Sequence, residues 1–216
     1  MRRFDTVLFD LDGTLLDTLD DLFDSVNHIL AENHLPLRTR AEVRRFLGNG
    51  SRRLVEQALP GQVEDARFDQ LFNAYKLWYN DHCTDRTRPY PGTEALLSAL
   101  AQADIATAIV SNKHAAATEA LNARFFHAGV AVGQRDELPP KPAPDLAYLA
   151  LERLGRGRER AVYVGDSEVD FQTAQNAGLP CILVSWGFRD RAELERLQPL
   201  HLVDTQAELL DLLLEA

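Results

Sequence analysis

Two aspartates separated by one residue, Asp10 and Asp12, are the strongest chemical signal in the sequence. They follow the apolar run from Thr6 to Phe9, which is typical of a buried strand, and Gly13 then permits a sharp turn. The strand would deliver both carboxylates to the carboxyl edge of a sheet, where open α/β folds bind ligands. Because like charges repel, the pair needs a counter-charge, and Mg²⁺ would supply one while stabilising a transferring phosphoryl group. Alone, the residues also fit an ordinary strand followed by an Asp-Gly turn.

Two further polar groups follow later apolar runs. Ser111 and Asn112 come directly after the second run and before a helix expected to begin near Lys113 or His114. A hydroxyl group and backbone amides at such a turn suit phosphate oxygens, although Ser and Asn are also ordinary helix N-caps. Lys141 lies in a proline-rich loop that would hold its side chain over the sheet edge, where its charge would neutralise phosphate and the Asp10 carboxylate. Lys113 is a rival candidate for this role, but the proline-rich context favours Lys141.

A second acidic pair, Asp166 and Asp170, follows a third apolar run. Asp166 is the best-placed further ligand for Mg²⁺. Asp170 lies one helical turn later on the same face, and would bind the metal through water or orient the other ligands. Ser167 would cap the helix and Glu168 would face solvent. The alternative is an acidic helix N-terminus favoured only by the helix dipole.

The order and context of these motifs resemble the haloacid dehalogenase superfamily of aspartate-nucleophile phosphohydrolases. The resemblance covers nearly the whole chain and rests on four motifs: Asp10-Leu11-Asp12-Gly13-Thr14, Ser111-Asn112, Lys141-Pro142-Ala143-Pro144-Asp145 and Gly165-Asp166-Ser167-Glu168-Val169-Asp170. The segments Gly48-Asn49-Gly50 and Ser185-Trp186-Gly187-Phe188 are similar to its phosphoglycolate phosphatase-like branch.

The resemblance implies a role for each motif residue. Asp10 would be the nucleophile that forms an aspartyl phosphate, and Asp12 the general acid and later the general base. Thr14 would position the Asp12 side chain, and the Asp12 backbone carbonyl would be a second Mg²⁺ ligand. The implied phosphate-binding residues are Gly13, Thr14, Ser111, Asn112 and Lys141, and the implied metal-binding residues are Asp10, Asp12, Asp166 and, in its outer role, Asp170.

The elements that must position these residues alternate between strand and helix. Short aliphatic runs predict strands at 6–9, 105–110, 130–132, 161–164, 181–184 and 202–203, and periodic stretches predict helices at 93–102, 115–123, 144–154 and 168–177. This alternation predicts an α/β fold with a Rossmann-like parallel sheet covered on both faces.

One long segment breaks the alternation. Residues 16–87 show helical periodicity without a strand signal, so we expect an inserted all-helical domain, similar to the four-helix cap of the C1 type in this superfamily. Residues 1–15 and 88–216 would form the Rossmann-like core. Cap residues would select the substrate, and Gly48, Asn49, Gly50 and Arg52 are the candidates, with Arg53 as an alternative to Arg52. The other interpretation is an amphipathic helix with solvated arginines.

Bulk properties limit the class of protein. The formal net charge of −10 over 216 residues argues against nucleic acid as a partner. No apolar stretch approaches the about 20 residues of a membrane span, and two distant cysteines indicate free thiols in the cytoplasm. We expect a monomer or a homodimer that binds a small phosphomonoester.

These observations predict a cytoplasmic, Mg²⁺-dependent phosphomonoester hydrolase, with phosphoglycolate as the favoured substrate. A phosphosugar mutase and a pyrophosphatase on the same scaffold are the alternative enzymes. The non-enzymatic alternative is a module that uses the phosphate pocket only for binding.

Overall fold

The computed structural model describes residues 3–215, and its main sheet is built from parallel strands. The strands are β1 (Thr6–Phe9), β2 (Leu16–Asp17), β3 (Arg88–Pro89), β4 (Ala106–His114), β5 (Val130–Gln134), β6 (Ala161–Gly165), β7 (Cys181–Val184) and β8 (His201–Val203). The main sheet has the order β5-β4-β1-β6-β7-β8, and β2 pairs separately with β3. The predicted parallel sheet is confirmed.

Helices connect the strands of the main sheet and form a separate group between β2 and β3. They are α1 (Leu19–Glu32), α2 (Arg40–Phe46), α3 (Gly50–Ala58), α4 (Asp65–His82), α5 (Thr93–Gln102), α6 (Ala115–Phe125), α7 (Asp145–Leu154), α8 (Glu168–Ala177), α9 (Arg191–Glu195) and α10 (Gln206–Leu214). All four helices predicted for the core are present.

The sheet is buried on both faces because successive residues of each strand enter two different apolar clusters. Val7 and Phe9 of β1 pack in one cluster with α5, α6 and α10, whereas Leu8 packs in the other cluster, to which α7 and α8 contribute. This explains why the strands appear in the sequence as continuous apolar runs rather than as alternating patterns.

The chain divides into two compact units. One contains residues 1–16 and 89–216, and the other contains residues 17–88 with helices α1 to α4. The boundaries predicted from the sequence fall after residues 15 and 87. Within the helical unit, α1 buries Leu22, Val26 and Ile29 along one stripe, which is the periodicity that predicted it.

Two local expectations are wrong. The segment expected to contain no strand includes Leu16–Asp17, which is too short to give a period-two signal. Strand β4 continues to His114, so Ser111 and Asn112 lie within the strand rather than after it, while α6 begins at Ala115 as the predicted helix does. The extension exists because β4 pairs with β5 beyond a shift in register, with His114 opposite Gln134. Within the described part of the chain, no helix is long and apolar enough to cross a membrane.

Candidate active site

The candidate site lies at the carboxyl edge of the main sheet, where neighbouring strands deliver their following residues. Strand β1 lies between β4 and β6, and Phe9 is paired with Ile109 on one side and with Val164 on the other. Asp10 therefore follows β1 at the level where β6 ends and Asp166 begins the next loop. Parallel pairing explains why motifs more than a hundred residues apart in sequence meet here.

The Lys141 ammonium group is the centre of the site. Its Nζ atom lies 2.7 Å from Oδ1 of Asp10 and 2.8 Å from Oδ1 of Asp170, and it also donates to the Tyr163 hydroxyl at 3.1 Å and to the Val110 carbonyl at 3.2 Å. Lys141 is only 4% exposed, so these contacts are not screened by solvent. The two carboxylates hold the pKa of Lys141 well above its usual value despite burial, and the side chain is therefore a permanent cation.

Asn112 fixes the loop that carries Lys141. Its side-chain Nδ2 donates to the Lys141 carbonyl at 3.0 Å, and its Oδ1 accepts from the Lys141 amide at 2.8 Å. Ser111 is buried beside it, and its hydroxyl accepts from the Lys113 amide at 3.1 Å. The structure thus gives the Asn112 side chain a positioning role that the sequence did not indicate, while phosphate binding by Ser111 and Asn112 stays a prediction.

Three buried carboxylates crowd around this cation. Asp10, Asp166 and Asp170 each offer an oxygen atom, and these atoms all lie within 4.8 Å of one another. Burial and then the Asp170 charge raise the pKa of Asp10 well above its usual value, although Lys141 acts in the opposite direction. Burial and Asp170 likewise raise the pKa of Asp166 to about 7. One ammonium group does not balance three carboxylates, and an all-oxygen cluster of this kind fits a hard divalent cation.

Asp170 is the most firmly held of the three. Its Oδ2 accepts from the Asp166 amide at 3.2 Å, from the Ser167 amide at 3.1 Å and from the Ser167 hydroxyl at 2.6 Å, which forms a capping box at the start of α8. With Oδ1 bonded to Lys141, this carboxylate suits the predicted outer, orienting role. Ser167 caps the helix as predicted.

Asp12 is not one of the three clustered carboxylates. Its Oδ1 lies 3.1 Å from Nζ of Lys113, and its side chain is 21% exposed, compared with 10% for Asp10. Lys113 therefore accompanies Asp12, whereas Lys141 accompanies Asp10. Lys141, which the sequence favoured, and its rival Lys113 therefore have different carboxylate partners.

The Thr14 hydroxyl lies 3.5 Å from Oδ1 of Asp166, a neighbour that the sequence did not indicate. Positioning of Asp12 by Thr14 stays a prediction. Gly13 has φ +91°, and a Cβ atom there would lie 2.4 Å from Oδ2 of Asp166, so only glycine fits both the turn and the approach. Phosphate binding by Gly13 and Thr14 stays a prediction.

Two sets of contacts in the site were missed by the sequence analysis. Tyr163 was assigned only to a buried strand, yet its hydroxyl contacts Lys141 and donates to the Val110 carbonyl at 3.2 Å. The Phe188 amide donates to Oδ2 of Asp166 at 2.6 Å. A tyrosine inside an otherwise aliphatic run was the available signal for the first contact, because a buried hydroxyl needs a partner.

The candidate substrate-selecting residues lie in the helical unit. Gly48 and Gly50 have φ values of +108° and +82°, and Asn49 is the N-cap residue of α3. The predicted Gly-rich turn before this helix is therefore present, with two residues in the left-handed region that glycine tolerates. Its contact with a substrate stays a prediction.

Arg52 is engaged within the helical unit. Its guanidinium group stacks over Phe68 at 4.5 Å and lies 5.8 Å from the Phe72 ring, while its nitrogen atoms approach Glu56 at 3.4 Å and Asp69 at 3.5 Å. These contacts give Arg52 a packing role that neither interpretation from the sequence included. Substrate binding by Arg52 stays a prediction.

Comparison with known proteins supports the resemblance to the haloacid dehalogenase superfamily that the motifs indicated. A family model described as haloacid dehalogenase-like hydrolase matches residues 7–184. A phosphoglycolate phosphatase of Mesorhizobium japonicum is 37% identical over 192 residues, covering 86% of this chain and 84% of that protein. An N-acetylmuramic acid 6-phosphate phosphatase of Pseudomonas aeruginosa is 30% identical over 219 residues, covering 98% and 95%. The crystal structure of a protein from Lactobacillus delbrueckii subsp. bulgaricus, named as a phosphoglycolate phosphatase, superposes on this chain with a TM-score of 0.91. The two chains are 31% identical, and the alignment covers all of both.

The chain belongs to the haloacid dehalogenase-like hydrolases. The family predicted from the motifs is thus confirmed, as are the fold and the assignment to hydrolases. Within this family, the buried cluster of Asp10, Asp166 and Asp170 fits a metal site.

The raised pKa of Asp166 predicts how the cation-free hydrolase responds to pH. In the folded state this pKa is about 7, against a usual value of 3.8, so the folded protein holds the proton more tightly. This stabilisation is fully present at pH values below the usual pKa of 3.8 and is lost as the pH rises through about 7. The free energy of unfolding falls by up to about 1.4 kcal/mol per pH unit in this range. We therefore expect unfolding in urea with a chelator to require less free energy at about pH 8.5 than at about pH 5.5.

Addition of Mg²⁺ should reverse this trend, because the cation competes with the proton for the same carboxylate. The stabilisation by Mg²⁺ should be larger at the higher pH, and Asp166→Asn should lose most of this difference. An equal effect of Mg²⁺ at both pH values in the unmodified protein would contradict the assignment of Asp166 as a cation ligand.

Proposed function

We propose that the protein is a Mg²⁺-dependent phosphomonoester hydrolase that acts on a small phosphorylated metabolite through an aspartyl phosphate on Asp10. The observation that carries the proposal is the buried contact of Lys141 with Asp10, beside the carboxylates of Asp166 and Asp170. This arrangement combines a nucleophile with the positive charge needed to receive a phosphate dianion.

Asp10 lies beside the Lys141 cation and the proposed metal site, as a nucleophile that attacks an anionic phosphate group requires. Carboxylate attack on phosphorus breaks the bond to the leaving oxygen and transfers the phosphoryl group to Asp10, after which water hydrolyses the acyl phosphate. Asp10, Asp166 and the Asp12 backbone carbonyl would hold Mg²⁺, with Asp170 orienting them, and the bound cation would neutralise charge on the phosphoryl oxygens. Lys141 keeps Asp10 oriented and contributes a second positive charge.

Asp12 is the proposed general acid and base. It would protonate the leaving alkoxide in the first step and accept a proton from the attacking water in the second. Its position outside the Lys141 cluster and its greater exposure than Asp10 support a role in proton exchange with substrate and water. An acid at this position also distinguishes a phosphatase from the dehalogenases of the same superfamily, because cleavage of a carbon–halogen bond needs none.

Phosphoglycolate is the proposed substrate. The relative from Mesorhizobium japonicum is named for this activity, and the relative from Pseudomonas aeruginosa is named for a larger phosphorylated amino sugar. Both compounds carry a carboxylate group in addition to the phosphate, so a small acidic phosphomonoester is the shared chemistry. The helical unit, with Gly48, Asn49, Gly50 and Arg52, is the proposed source of selectivity.

Other properties of the protein follow as proposals. The net charge of −10 supports a partner that is a small molecule rather than nucleic acid or a membrane. We propose a cytoplasmic location and a monomer or homodimer. The phosphosugar mutase and the pyrophosphatase stay as alternatives on the same scaffold.

The proposal is tested by measuring phosphate release from a panel of compounds in the presence of Mg²⁺. The panel comprises phosphoglycolate, N-acetylmuramic acid 6-phosphate, hexose phosphates, pyrophosphate and p-nitrophenyl phosphate. We expect the highest kcat/KM for phosphoglycolate, because selectivity is expressed in differential binding of transition states. Asp10→Asn, which hardly changes shape, should retain less than about a hundredth of the unmodified kcat.

Each alternative has a distinct outcome in this assay. Isomerisation of a hexose phosphate without phosphate release would identify a mutase, and preference for pyrophosphate would identify a pyrophosphatase. Phosphate binding without turnover of any compound would identify a binding module. Substantial activity of Asp10→Asn would contradict the covalent mechanism.

The role of Asp12 predicts a dependence on the leaving group. Asp12→Asn should slow phosphoenzyme formation from phosphoglycolate by about 10²–10⁴-fold, because an alkoxide needs a proton as it departs. The loss on p-nitrophenyl phosphate should be much smaller, since nitrophenolate leaves without one. Rapid-quench measurement of the first step on both substrates makes the comparison, and equal losses would exclude Asp12 as the acid.

A further inference from the structure

Residues 185–189, named here the clamp segment, follow β7 and contact both loops that supply the proposed cation ligands. The Trp186 indole Nε1 donates to the Thr14 carbonyl at 3.0 Å, and the Phe188 amide donates to Oδ2 of Asp166 at 2.6 Å. The clamp segment therefore bridges the loop after β1 and the loop after β6. It adds a fixed N–H donor to the Asp166 carboxylate.

Gly187 shows how closely the clamp segment approaches this carboxylate. A Cβ atom at Gly187 would lie 2.3 Å from Oδ2 of Asp166 and 2.5 Å from the Gly13 carbonyl oxygen, closer than real Cβ atoms come. The Asp166 side chain thus lies between two glycines, Gly13 and Gly187. Such packing leaves the carboxylate little freedom to rotate as long as the clamp segment stays in place.

One ion pair fastens the clamp segment to the helix that follows Asp166. Arg189 contacts Glu168 in a two-pronged arrangement, with Nε 2.6 Å from Oε2 and Nη2 2.8 Å from Oε1. The Arg189 side chain is only 11% exposed, whereas the Glu168 side chain is 48% exposed. Two parallel hydrogen bonds between planar groups fix orientation as well as distance. Glu168 was expected only to face solvent.

We propose that Arg189 and Glu168 are a pair of positioning residues that hold the clamp segment on Asp166 and so prepare this carboxylate for cation binding. The inference rests on the proposed function in taking Asp166 as a Mg²⁺ ligand. Arg189 adjoins Phe188, whose amide bonds Asp166, and Glu168 follows Asp166 by two residues. Asp166, Phe188, Arg189 and Glu168 are therefore linked in a closed chain of short contacts, which the Arg189–Glu168 pair completes.

Removal of the Arg189 charge should change Mg²⁺ affinity in opposite directions, depending on whether Arg189 acts by positioning Asp166 or only through its charge. A cation near the site repels Mg²⁺, so loss of the Arg189 charge alone would tighten Mg²⁺ binding. Loss of the fastening would instead let the clamp segment and Asp166 move, and residues that orient metal ligands typically contribute about 10–100-fold to affinity. Arg189→Met, which keeps much of the side-chain length without charge, separates the two effects.

The test is calorimetric titration of the full-length protein with MgCl₂ in the absence of substrate. We expect Arg189→Met and Glu168→Gln each to weaken Mg²⁺ binding by about tenfold or more. The double variant Glu168→Arg with Arg189→Glu preserves net charge and restores the pair in reverse, and should recover most of the affinity. Arg160→Met is the matched control, because Arg160 precedes β6, is 40% exposed and pairs with Asp5 at 3.2 Å, outside the clamp segment. It should bind Mg²⁺ like the unmodified protein.

Each outcome bears on the inference. Tighter or unchanged binding in Arg189→Met, or failure of the reversed pair to improve on the single variants, would overturn it. Thermal unfolding in a chelator identifies any variant that does not fold. If Arg189→Met does not fold, the Mg²⁺ affinities of Glu168→Gln and of the reversed pair test the inference. Absence of Mg²⁺ binding by the unmodified protein would overturn the metal assignment in the proposed function as well, whereas altered substrate preference would leave the inference standing.

Discussion

The buried contact between the Lys141 ammonium group and the carboxylates of Asp10 and Asp170 is the interaction on which the rest of the site depends. Like charges at this edge of the sheet would otherwise repel strongly in a region shielded from water. Lys141 reduces that repulsion while leaving enough negative charge to attract a divalent cation. Two hydrogen bonds with the Asn112 side chain hold its loop, so the Lys141 cation and Asp10 keep a fixed geometry.

The surrounding backbone is arranged to hold these charges close together without fully neutralising them. Asp170 receives three hydrogen bonds at the start of α8, and Asp166 receives the Phe188 amide. Glycines at positions 13 and 187 allow two loops to approach Asp166 more closely than any other residue would. The raised pKa values of Asp10 and Asp166 express the remaining electrostatic cost, which cation binding would relieve.

The sequence was sufficient for the sheet, the order of the motifs and the meeting of Asp10, Lys141 and Asp166, because parallel strands bring their carboxyl ends to one edge. It did not predict the partners of polar groups across long sequence distances. The Thr14 hydroxyl lies near Asp166, and the Asn112 side chain hydrogen-bonds the backbone of Lys141, 29 residues away. Local sequence patterns determine which residues reach the carboxyl edge of the sheet. Which of the polar groups there become hydrogen-bond partners depends on side-chain packing in three dimensions.

The most direct test of this account is the unfolding free energy of Lys141→Met, measured in urea with a chelator at about pH 5.5 and about pH 8.5. Removal of the ammonium group leaves the carboxylates of Asp10 and Asp170 buried without their counter-charge, which should cost about 3–5 kcal/mol at the higher pH. The deficit relative to the unmodified protein should be smaller at the lower pH, because Asp10, whose pKa is raised by burial, can take up a proton there. An equal deficit at both pH values, or none, would contradict the central place given to this contact.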